Sequence, residues 1–415
     1  MKRFGIMMAA ACILSSVAGA QTTSSVQIAW DDFGTAGYFM SSFSPPSANV
    51  GLTGSGNLNP TLSLQMGKRY KFTYTNAGSH PLEVVARGAT FASDVAHLSL
   101  AVNPSLESNS GIAWFETGSD FYFNITGQLA DALNAGAGGA GYHCNFHPDT
   151  MRGGIVFTAA DSNLLWPNGS ENFENAVIGT QVNSAITSWS VVAGSVPANY
   201  TPLIASTPAG HPNQAAGSTR WLTVTDTDNS AAANGRTYTN SIIVPGAGTV
   251  SKYNFNFRMD VQSVGTTGPL LISQHINGSS TYVNVAGLEV TSVGLGLIIV
   301  GTDDGGAGKA GASTRTTLYN FADSGGFGQN AWIPVQYEID LAGGLLKGTA
   351  TGTDNVTVKN AQISGLALQS VNAKDFRFCI RGNGSGNVST ISFDNIVLQG
   401  TETPPSGVTD WGIYQ

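Results

Sequence analysis

The sequence predicts an all-β fold built from two β-sandwiches. Glycine, serine, threonine, asparagine and valine are abundant, and only 11% of the 415 residues are charged. This composition is typical of turn-rich extracellular β domains and unlike that of long exposed helices. Short runs alternate between apolar and polar side chains, as half-buried strands do. Glycine, asparagine and proline separate these runs at close intervals, which is typical of sandwiches and barrels.

The N-terminus has the pattern of a secretory signal peptide. Lys2 and Arg3 precede an apolar run that ends at Val17, and small residues up to Ala20 form a cleavage site. A run of this length with these flanks is removed after export. We therefore expect cleavage after Ala20, so that 1–20 is lost and the mature protein is secreted or periplasmic. No later stretch approaches the ~18 apolar residues of a membrane span.

The rest of the chain divides into two predicted domains. Evenly spaced strands predict one sandwich over residues 21–160. The segment 161–172 contains proline, glycine and asparagine and has the composition of a linker. A larger jelly-roll sandwich is predicted over 173–400. The last segment, 401–415, contains two adjacent prolines and is predicted to be a tail.

Charge and cysteine content narrow the possible partners. The net charge is −8 and no basic cluster is present, so neither nucleic acid nor an anionic membrane surface is an expected partner. Cys12 is lost with the signal peptide, which leaves Cys144 and Cys379. A disulfide between them is one alternative in an oxidising compartment. They fall in separate predicted domains, however, and Cys379 lies in a strand-like run where a buried thiol acts as a small apolar side chain.

The most informative short segment carries Cys144, His147 and Met151. Two imidazoles and a thiolate, with a weak axial thioether, form a donor set that suits copper. The second imidazole has to come from elsewhere, and His80 follows a turn at the start of another predicted strand. Because successive strand side chains point to opposite faces, Cys144 can reach the metal while His143 points away. The pattern predicts a copper site formed by His80, Cys144, His147 and Met151.

Residues 26–158 resemble the plastocyanin-like cupredoxin family. The resemblance implies a cupredoxin Greek-key β-sandwich with one type 1 copper ion that shuttles single electrons to a redox partner protein, which the sequence does not identify. It also implies His80, Cys144 and His147 as equatorial ligands and Met151 as the axial one. Three residues separate His147 from Met151, where plastocyanins have four and amicyanins two. The motifs are Leu64-x-x-Gly67 before an aromatic strand, Ser79-His80-Pro81 and Tyr142-x-Cys144-x-x-His147-x-x-x-Met151-x-Gly153.

The second predicted domain resembles the concanavalin-like and laminin-G-like jelly rolls. The resemblance rests on Phe173–Thr180, Trp332–Leu341 and Phe393–Leu398, and it implies that this domain binds a polysaccharide or a protein. Asp303 and Asp304 lie in a glycine-rich loop and could help to hold Ca²⁺.

Two functions other than electron transfer stay open for the whole protein. One is a secreted adhesion or carbohydrate-binding protein with a structural or vestigial copper site, and the other is copper scavenging or delivery.

Enzymatic activity is not predicted. Multicopper oxidases need eight histidines for their trinuclear cluster, mostly as His-x-His pairs, whereas this chain has six histidines and no such pair. Copper nitrite reductases need two cupredoxin domains and a longer loop between the cysteine and the histidine. A retaining glucanase needs two carboxylates about 5 Å apart. Glucanases of the jelly-roll fold present them on one strand as Glu-x-Asp-x-Glu or Glu-x-Asp-x-x-Glu. Glu338 and Asp340 match the start of this motif, but Ala342 and Gly343 occupy the two positions at which the second glutamate could stand.

Overall fold

The structure of the protein is a computed structural model. The structure describes residues 24–74, 76, 78–163, 168–187, 189–192, 200–207, 209–227, 236–239, 249–264, 270–277, 285–300, 313–340, 343–364, 373–379 and 389–403. The predicted signal peptide and the aspartate pair at 303 and 304 lie outside these ranges.

The chain forms two compact units, each built almost entirely from β-strands. The first comprises residues 1–160 and 175–177, and the second comprises 161–174 and 178–415. Each unit contains two sheets, so the predicted all-β fold is confirmed. Among the residues that the structure describes, no helix has the length and apolar character needed to cross a membrane.

The described part of the first unit contains ten strands and one α-helix. The helix, Gly127–Asn134 (α1), is accompanied by four 3-10 turns at Gly34–Ala36, Pro46–Ala48, Phe91–Ser93 and Ser105–Ser108. The strands are Val26–Asp32 (β1), Tyr38–Ser44 (β2), Leu62–Gln65 (β3), Arg69–Tyr74 (β4), Leu82–Arg87 (β5), Val95–Ser99 (β6), Phe115–Thr117 (β7), Asp120–Asn124 (β8), Gly139–Cys144 (β9) and Arg152–Thr158 (β10).

These strands form two five-stranded sheets, ordered β2-β1-β4-β8-β7 and β3-β10-β9-β5-β6. Alternation along the strands supplies the core between them. In β4, Tyr70, Phe72 and Tyr74 are buried while the residues between them are half-buried. Each such aromatic side chain contributes roughly 1.5–3 kcal/mol by leaving water. Trp30 meets the ring of Tyr142 edge-on, with 5.2 Å between centroids, and so joins the two sheets.

Helix α1 is an addition to the predicted β pattern. Its N-cap is Thr126, whose hydroxyl oxygen accepts a hydrogen bond from the backbone N–H of Leu129. This satisfies one of the free N–H groups of the first turn. Leu129 and Leu133 are fully buried, so the helix is held by packing against the unit's core.

The strands at one end of the second sheet position the predicted copper ligands. Pro81, which has no N–H to donate, directly precedes β5. Strands β5 and β9 are antiparallel neighbours with Leu82 opposite Cys144. Strand β9 ends at Cys144, and β10 returns antiparallel with Arg152 opposite His143. The segments that carry all four predicted ligands therefore meet at one end of three adjacent strands.

The second unit is the larger of the two. Its described residues include a short helix, Val182–Ala185 (α2). Its strands are Asn168–Glu171 (β11), Trp189–Val192 (β12), Tyr200–Ala205 (β13), Trp221–Asp226 (β14), Arg236–Thr239 (β15), Thr249–Ser263 (β16), Leu270–Asn277 (β17), Val285–Thr291 (β18), Gly294–Val300 (β19), Ser313–Asn320 (β20), Trp332–Asp340 (β21), Leu345–Thr351 (β22), Val358–Ser364 (β23), Ala373–Cys379 (β24) and Ser389–Thr403 (β25).

One sheet of this unit runs β13-β14-β25-β16-β21-β22-β23, with β11 also paired to β25, and the other runs β12-β15-β24-β17-β18-β19-β20. Two predicted boundaries differ from the structure. The segment 161–172, predicted as a linker, contains β11, because its backbone pairs with residues 396–399 of β25. The predicted tail begins at Thr401, but β25 continues to Thr403 through its pairing with β16.

Candidate metal centre

The side chains of His80, Cys144 and His147 converge at the end of β9. The two Nδ1 atoms of the histidines are 3.2 Å apart. The Sγ atom of Cys144 lies 3.8 Å from Nδ1 of His80 and 3.7 Å from Nδ1 of His147. A point equidistant from the three atoms lies about 2.1 Å from each, close to the ~2.0–2.3 Å bonds that a metal such as zinc makes with imidazole nitrogen and thiolate sulfur. The three donors are therefore spaced as the equatorial ligands of one ion.

The loop between β9 and β10 is closed by its own backbone. The N–H of Cys144 donates to the carbonyl of Met151 at 2.9 Å, and the N–H of Met151 donates to the carbonyl of His147 at 2.9 Å. The N–H of Asn145 donates to the carbonyl of Pro81 at 2.9 Å. These bonds fold the loop back over Cys144 and tie it to the segment that carries His80.

Met151 is fully buried in the core of the first unit. Its backbone contacts with Cys144 and His147 place it at the closing end of the ligand loop. A buried thioether at this position has the right chemistry for a weak axial ligand. The axial role of Met151 stays a prediction.

Hydrogen bonds from the rest of the unit hold the ligand segments in place. The hydroxyl of Tyr38 donates to the carbonyl of His80 at 2.7 Å. Asn59 donates from Nδ2 to the carbonyl of Thr150 at 2.8 Å, and Thr150 donates from Oγ1 to the carbonyl of Thr35 at 2.6 Å. None of these three contacts was predicted, because each joins residues far apart in the chain.

A carboxylate also lies close to this end of the unit. Asp32 accepts hydrogen bonds from the hydroxyl of Tyr74 at 2.6 Å and from Nδ2 of Asn76 at 2.7 Å. Burial raises the pKa of this carboxyl, but the two hydrogen bonds and the nearby His80 together hold the pKa of Asp32 below its usual range. Asp32 therefore adds negative charge near the imidazole of His80.

Cys144 is a free, fully buried thiol, so no disulfide joins it to Cys379. Cys379 lies in β24, as the predicted strand requires, while its side chain lies outside the described ones.

The three converging side chains differ in how far they are exposed to solvent. His80 is 8% exposed, whereas His147 is half-buried and its neighbour Phe146 is 60% exposed. His147 is therefore the one of the three that connects the cluster to the surface.

A second set of polar side chains lies on the outer face of the same sheet. His143, predicted to point away from the metal, places Nε2 2.8 Å from Oε2 of Glu83 and Nδ1 3.0 Å from Oδ2 of Asp94. Arg152 donates to both oxygens of Asp94, at 2.8 and 2.6 Å. Burial raises the pKa of both carboxyls, but the hydrogen bonds from His143 to Glu83 and from Arg152 to Asp94 hold each pKa below its usual range.

The second unit buries carboxylates beneath a loop over residues 210–220. The Nδ1 atom of His211 lies 2.6 Å from Oδ2 of Asp260, which is fully buried. Ser218 donates to Asp394, whose other oxygen accepts from the backbone N–H of Asn395 at 2.7 Å. Burial raises the pKa of Asp394 to about 6. No motif in the sequence predicts that His211 pairs with Asp260 or that Ser218 pairs with Asp394.

Beside this loop, the outer face of the β16–β21–β22 sheet forms a shallow groove of about 260 Å³. This volume is close to the lower end of the ~300–1,000 Å³ range of ligand sites. Glu338 and Asp340 stand in the same sheet. Both are paired with Lys252, at 3.6 and 3.2 Å. The groove is lined by Asn256, Arg258, Pro334, Gln336, Thr349 and Asn395, among others.

Comparisons with known proteins add little to this description. No family model matches the chain, and no curated protein matches it. Solved structures similar to it include the cellulose-induced protein Cip1 (13% identity, TM-score 0.36, 55% of this chain and 95% of that chain) and peanut lectin (13% identity, TM-score 0.36, 57% and 99%). Another is the binding domain of botulinum neurotoxin serotype G (13% identity, TM-score 0.31, 52% and 44%), of which this chain spans less than half. At these scores the matches carry no functional argument.

Proposed function

We propose that the first unit binds one copper ion and transfers single electrons between protein partners. The triangle formed by Nδ1 of His80, Nδ1 of His147 and Sγ of Cys144 supports this proposal, because its sides of 3.2, 3.8 and 3.7 Å suit one trigonal ion. A thiolate with two imidazoles is the donor set of electron-transfer copper sites. When bound, copper supplies a couple between Cu(I) and Cu(II).

The residues around the triangle suit electron transfer better than substrate chemistry. Cys144 and His80 are buried, which excludes water and substrates from their side of the ion. His147 is half-buried, so the edge of its ring gives the electron its shortest route to the surface. Phe146, 60% exposed beside His147, offers an apolar contact to a redox partner. The predicted signal peptide would place this protein in the periplasm or outside the cell.

The test is a visible absorption and EPR spectrum of residues 21–415 loaded with Cu(II). We expect an intense thiolate-to-copper band with narrow hyperfine splitting, and we expect Cys144→Ser to abolish it. Cys379→Ser is the matched control, because it removes the other cysteine and should leave the band unchanged. An ordinary Cu(II) spectrum that survives Cys144→Ser would reject the proposal.

Redox cycling and metal exchange then separate the electron-transfer function from the alternatives. A reversible couple with slow loss of copper to a chelator supports electron transfer. Rapid exchange in both oxidation states supports copper delivery instead. A bound ion without a reversible couple supports an adhesion protein with a structural copper site.

The groove in the second unit favours a second function, the binding of a polysaccharide. Asn256, Gln336 and Asn395 present amide groups, each with donors and acceptors for sugar hydroxyls, and Pro334 supplies an apolar surface. Titration calorimetry against a panel of soluble polysaccharides tests this. Binding should be lost in Asn256→Ala/Gln336→Ala and kept in Thr314→Ala, which changes an exposed residue of the other sheet. Equal binding by both variants would exclude the groove as the polysaccharide-binding site.

A further inference from the structure

The outer face of the ligand-bearing sheet carries one row of polar side chains across four strands. Ser99 of β6 lies opposite Glu83 of β5, Glu83 lies opposite His143 of β9, and His143 lies opposite Arg152 of β10. Because successive side chains in a strand point to opposite faces, this row stands directly behind the metal cluster. With Asp94, which contacts two of its members, we call it the outer-face network.

The network is closed by direct hydrogen bonds. Glu83 contacts His143 through Oε2 at 2.8 Å and accepts from Ser99 through Oε1 at 2.7 Å. Asp94 contacts the other ring nitrogen of His143 at 3.0 Å and holds Arg152 through both oxygens. Both ring nitrogens of His143 thus face a carboxylate. His143 therefore bridges Glu83 and Asp94, and Asp94 in turn holds Arg152.

Three members of the network, Glu83, His143 and Arg152, lie on or next to the segments that carry the predicted ligands. His143 is adjacent in sequence to Cys144, Arg152 is adjacent to Met151, and Glu83 lies on the strand that follows His80. Asn145, the first residue of the ligand loop, donates from Nδ2 to Oε1 of Glu83 at 3.1 Å. The network therefore connects all three segments that carry the predicted ligands.

Stability alone does not explain such a network. Glu83 is only 4% exposed and the side chain of Asp94 is 0% exposed, and removing such carboxylates from water costs free energy that attraction to a partner often fails to recover. Buried ionic groups are best attested where they fix one arrangement of the chain among several. Residues outside the first coordination sphere commonly fix the orientation of metal ligands in this way.

We propose that Glu83, His143, Asp94 and Arg152 are positioning residues, which lock the three ligand-bearing segments so that the metal geometry is the same in both copper oxidation states. This inference rests on the proposed copper function. It assigns a role to a histidine that is adjacent to Cys144 and does not bind the metal. The network acts through the backbone of β5, β9 and β10 and touches neither the ion nor a substrate.

The test compares copper-loaded Glu83→Gln, His143→Gln and the double variant with the wild type. Each single change disrupts the hydrogen bond between Glu83 and His143, whereas two facing amides can restore one. We expect the single variants to keep the thiolate band but to bind Cu(II) about 10–100-fold more weakly, as outer-sphere changes do, with broadened EPR lines and a shifted reduction potential. The double variant should recover part of each change.

Two further variants separate positioning from general stability. Asn145→Ala keeps every charge and removes only the bond from the ligand loop to Glu83, so it should fold and still broaden the EPR lines. Asp120→Asn removes a carboxylate that is paired with Lys71 at 2.8 Å in the other sheet, and it should leave the spectrum unchanged. A wild-type spectrum and potential in Glu83→Gln, His143→Gln and Asn145→Ala would overturn the inference. A wild type without a thiolate band would instead reject the copper function itself.

Discussion

The two units both bury carboxylates that are bonded to a histidine or a hydroxyl, but within the described ranges only the first also brings two imidazoles and a thiol together. In the first unit, two imidazole nitrogens and one thiol sulfur converge on a common centre, each within 3.8 Å of the others. In the second unit, Asp260 and Asp394 are equally buried, yet each bonds to its own partner, His211 or Ser218. Burial of polar groups therefore does not by itself indicate a metal site. Convergence of three donor atoms around one point is what makes the cluster in the first unit a candidate metal site.

The largest expected effect concerns the histidines of the two units. His80→Ala should weaken Cu(II) binding by at least about 100-fold, because it removes a direct ligand and even outer-sphere changes cost ~10–100-fold. His211→Ala is the matched control, since it removes an imidazole that is bonded to a carboxylate in the second unit. Competition with a coloured chelator measures both. Equal losses would mean that copper binds this chain without using the cluster, and the contrast between the units would collapse.

The buried carboxylate of the second unit gives the next effect, through pH. The pKa of Asp394 is raised from 3.8 to about 6, so the folded state binds this proton more tightly than the unfolded state. Its contribution to stability is fully present below pH ~4 and is lost as the pH rises through ~6. Asp394→Asn lacks this dependence. The free energy of unfolding of Asp394→Asn relative to wild type should therefore rise by about 2–3 kcal/mol between pH 4 and 7.5.

Urea unfolding of both proteins at the two pH values measures this difference. Asp323→Asn is a control of opposite sign, because a backbone hydrogen bond from Asn320 and a bond from Lys359 lower the pKa of Asp323. That carboxylate stabilises the fold above its ordinary pKa and loses the contribution in acid. A difference for Asp394→Asn that does not change with pH would show that burial does not shift its protonation.

A smaller effect is expected from the hydrogen bond that holds His80. Tyr38→Phe removes the bond to the carbonyl of His80 and should cost about 1 kcal/mol of stability. It should also weaken copper binding, because the backbone of a ligand is released. Tyr70→Phe is the control, since the hydroxyl of Tyr70 accepts from the backbone N–H of Gln65 at 2.7 Å, away from the cluster. Equal copper affinity in both variants would show that the hydroxyl of Tyr38 does not support copper binding.

The smallest change in affinity is expected at Met151. Met151→Leu conserves volume, so it should cost less than about 1.5 kcal/mol of stability. Because an axial thioether binds weakly and tunes the potential, we expect less than about a tenfold loss of Cu(II) affinity and a higher reduction potential by voltammetry. An unchanged potential would mean that Met151 is a core residue only.

The sequence was informative where the chemistry is local. Cys144, His147 and Met151 lie on one loop between two β runs, so their spacing predicted that they would meet, and alternation predicted that His143 would face away from them. His80 was predicted as the second imidazole ligand because it follows a turn at the start of another predicted strand. The structure brings His80, Cys144 and His147 together.

Other features depend on contacts that no local pattern reports. Asp94 ends a 3-10 turn, and alternation does not apply there, so its contact with His143 could not be read from spacing. His211 and Asp260 are 49 residues apart and meet only because a loop crosses the sheet. Strand β11 appeared to be a linker because its composition is polar, yet edge pairing to β25 supplies its order.

The closed loop between Cys144 and Met151 has a kinetic consequence. Three of the four predicted ligands lie on this one hairpin, and two backbone hydrogen bonds join its ligand residues to one another. Local opening of such a loop can need less free energy than global unfolding. Copper would therefore leave by a transient opening of this loop, and its residence time would depend on anchors such as Asn59 and Thr150.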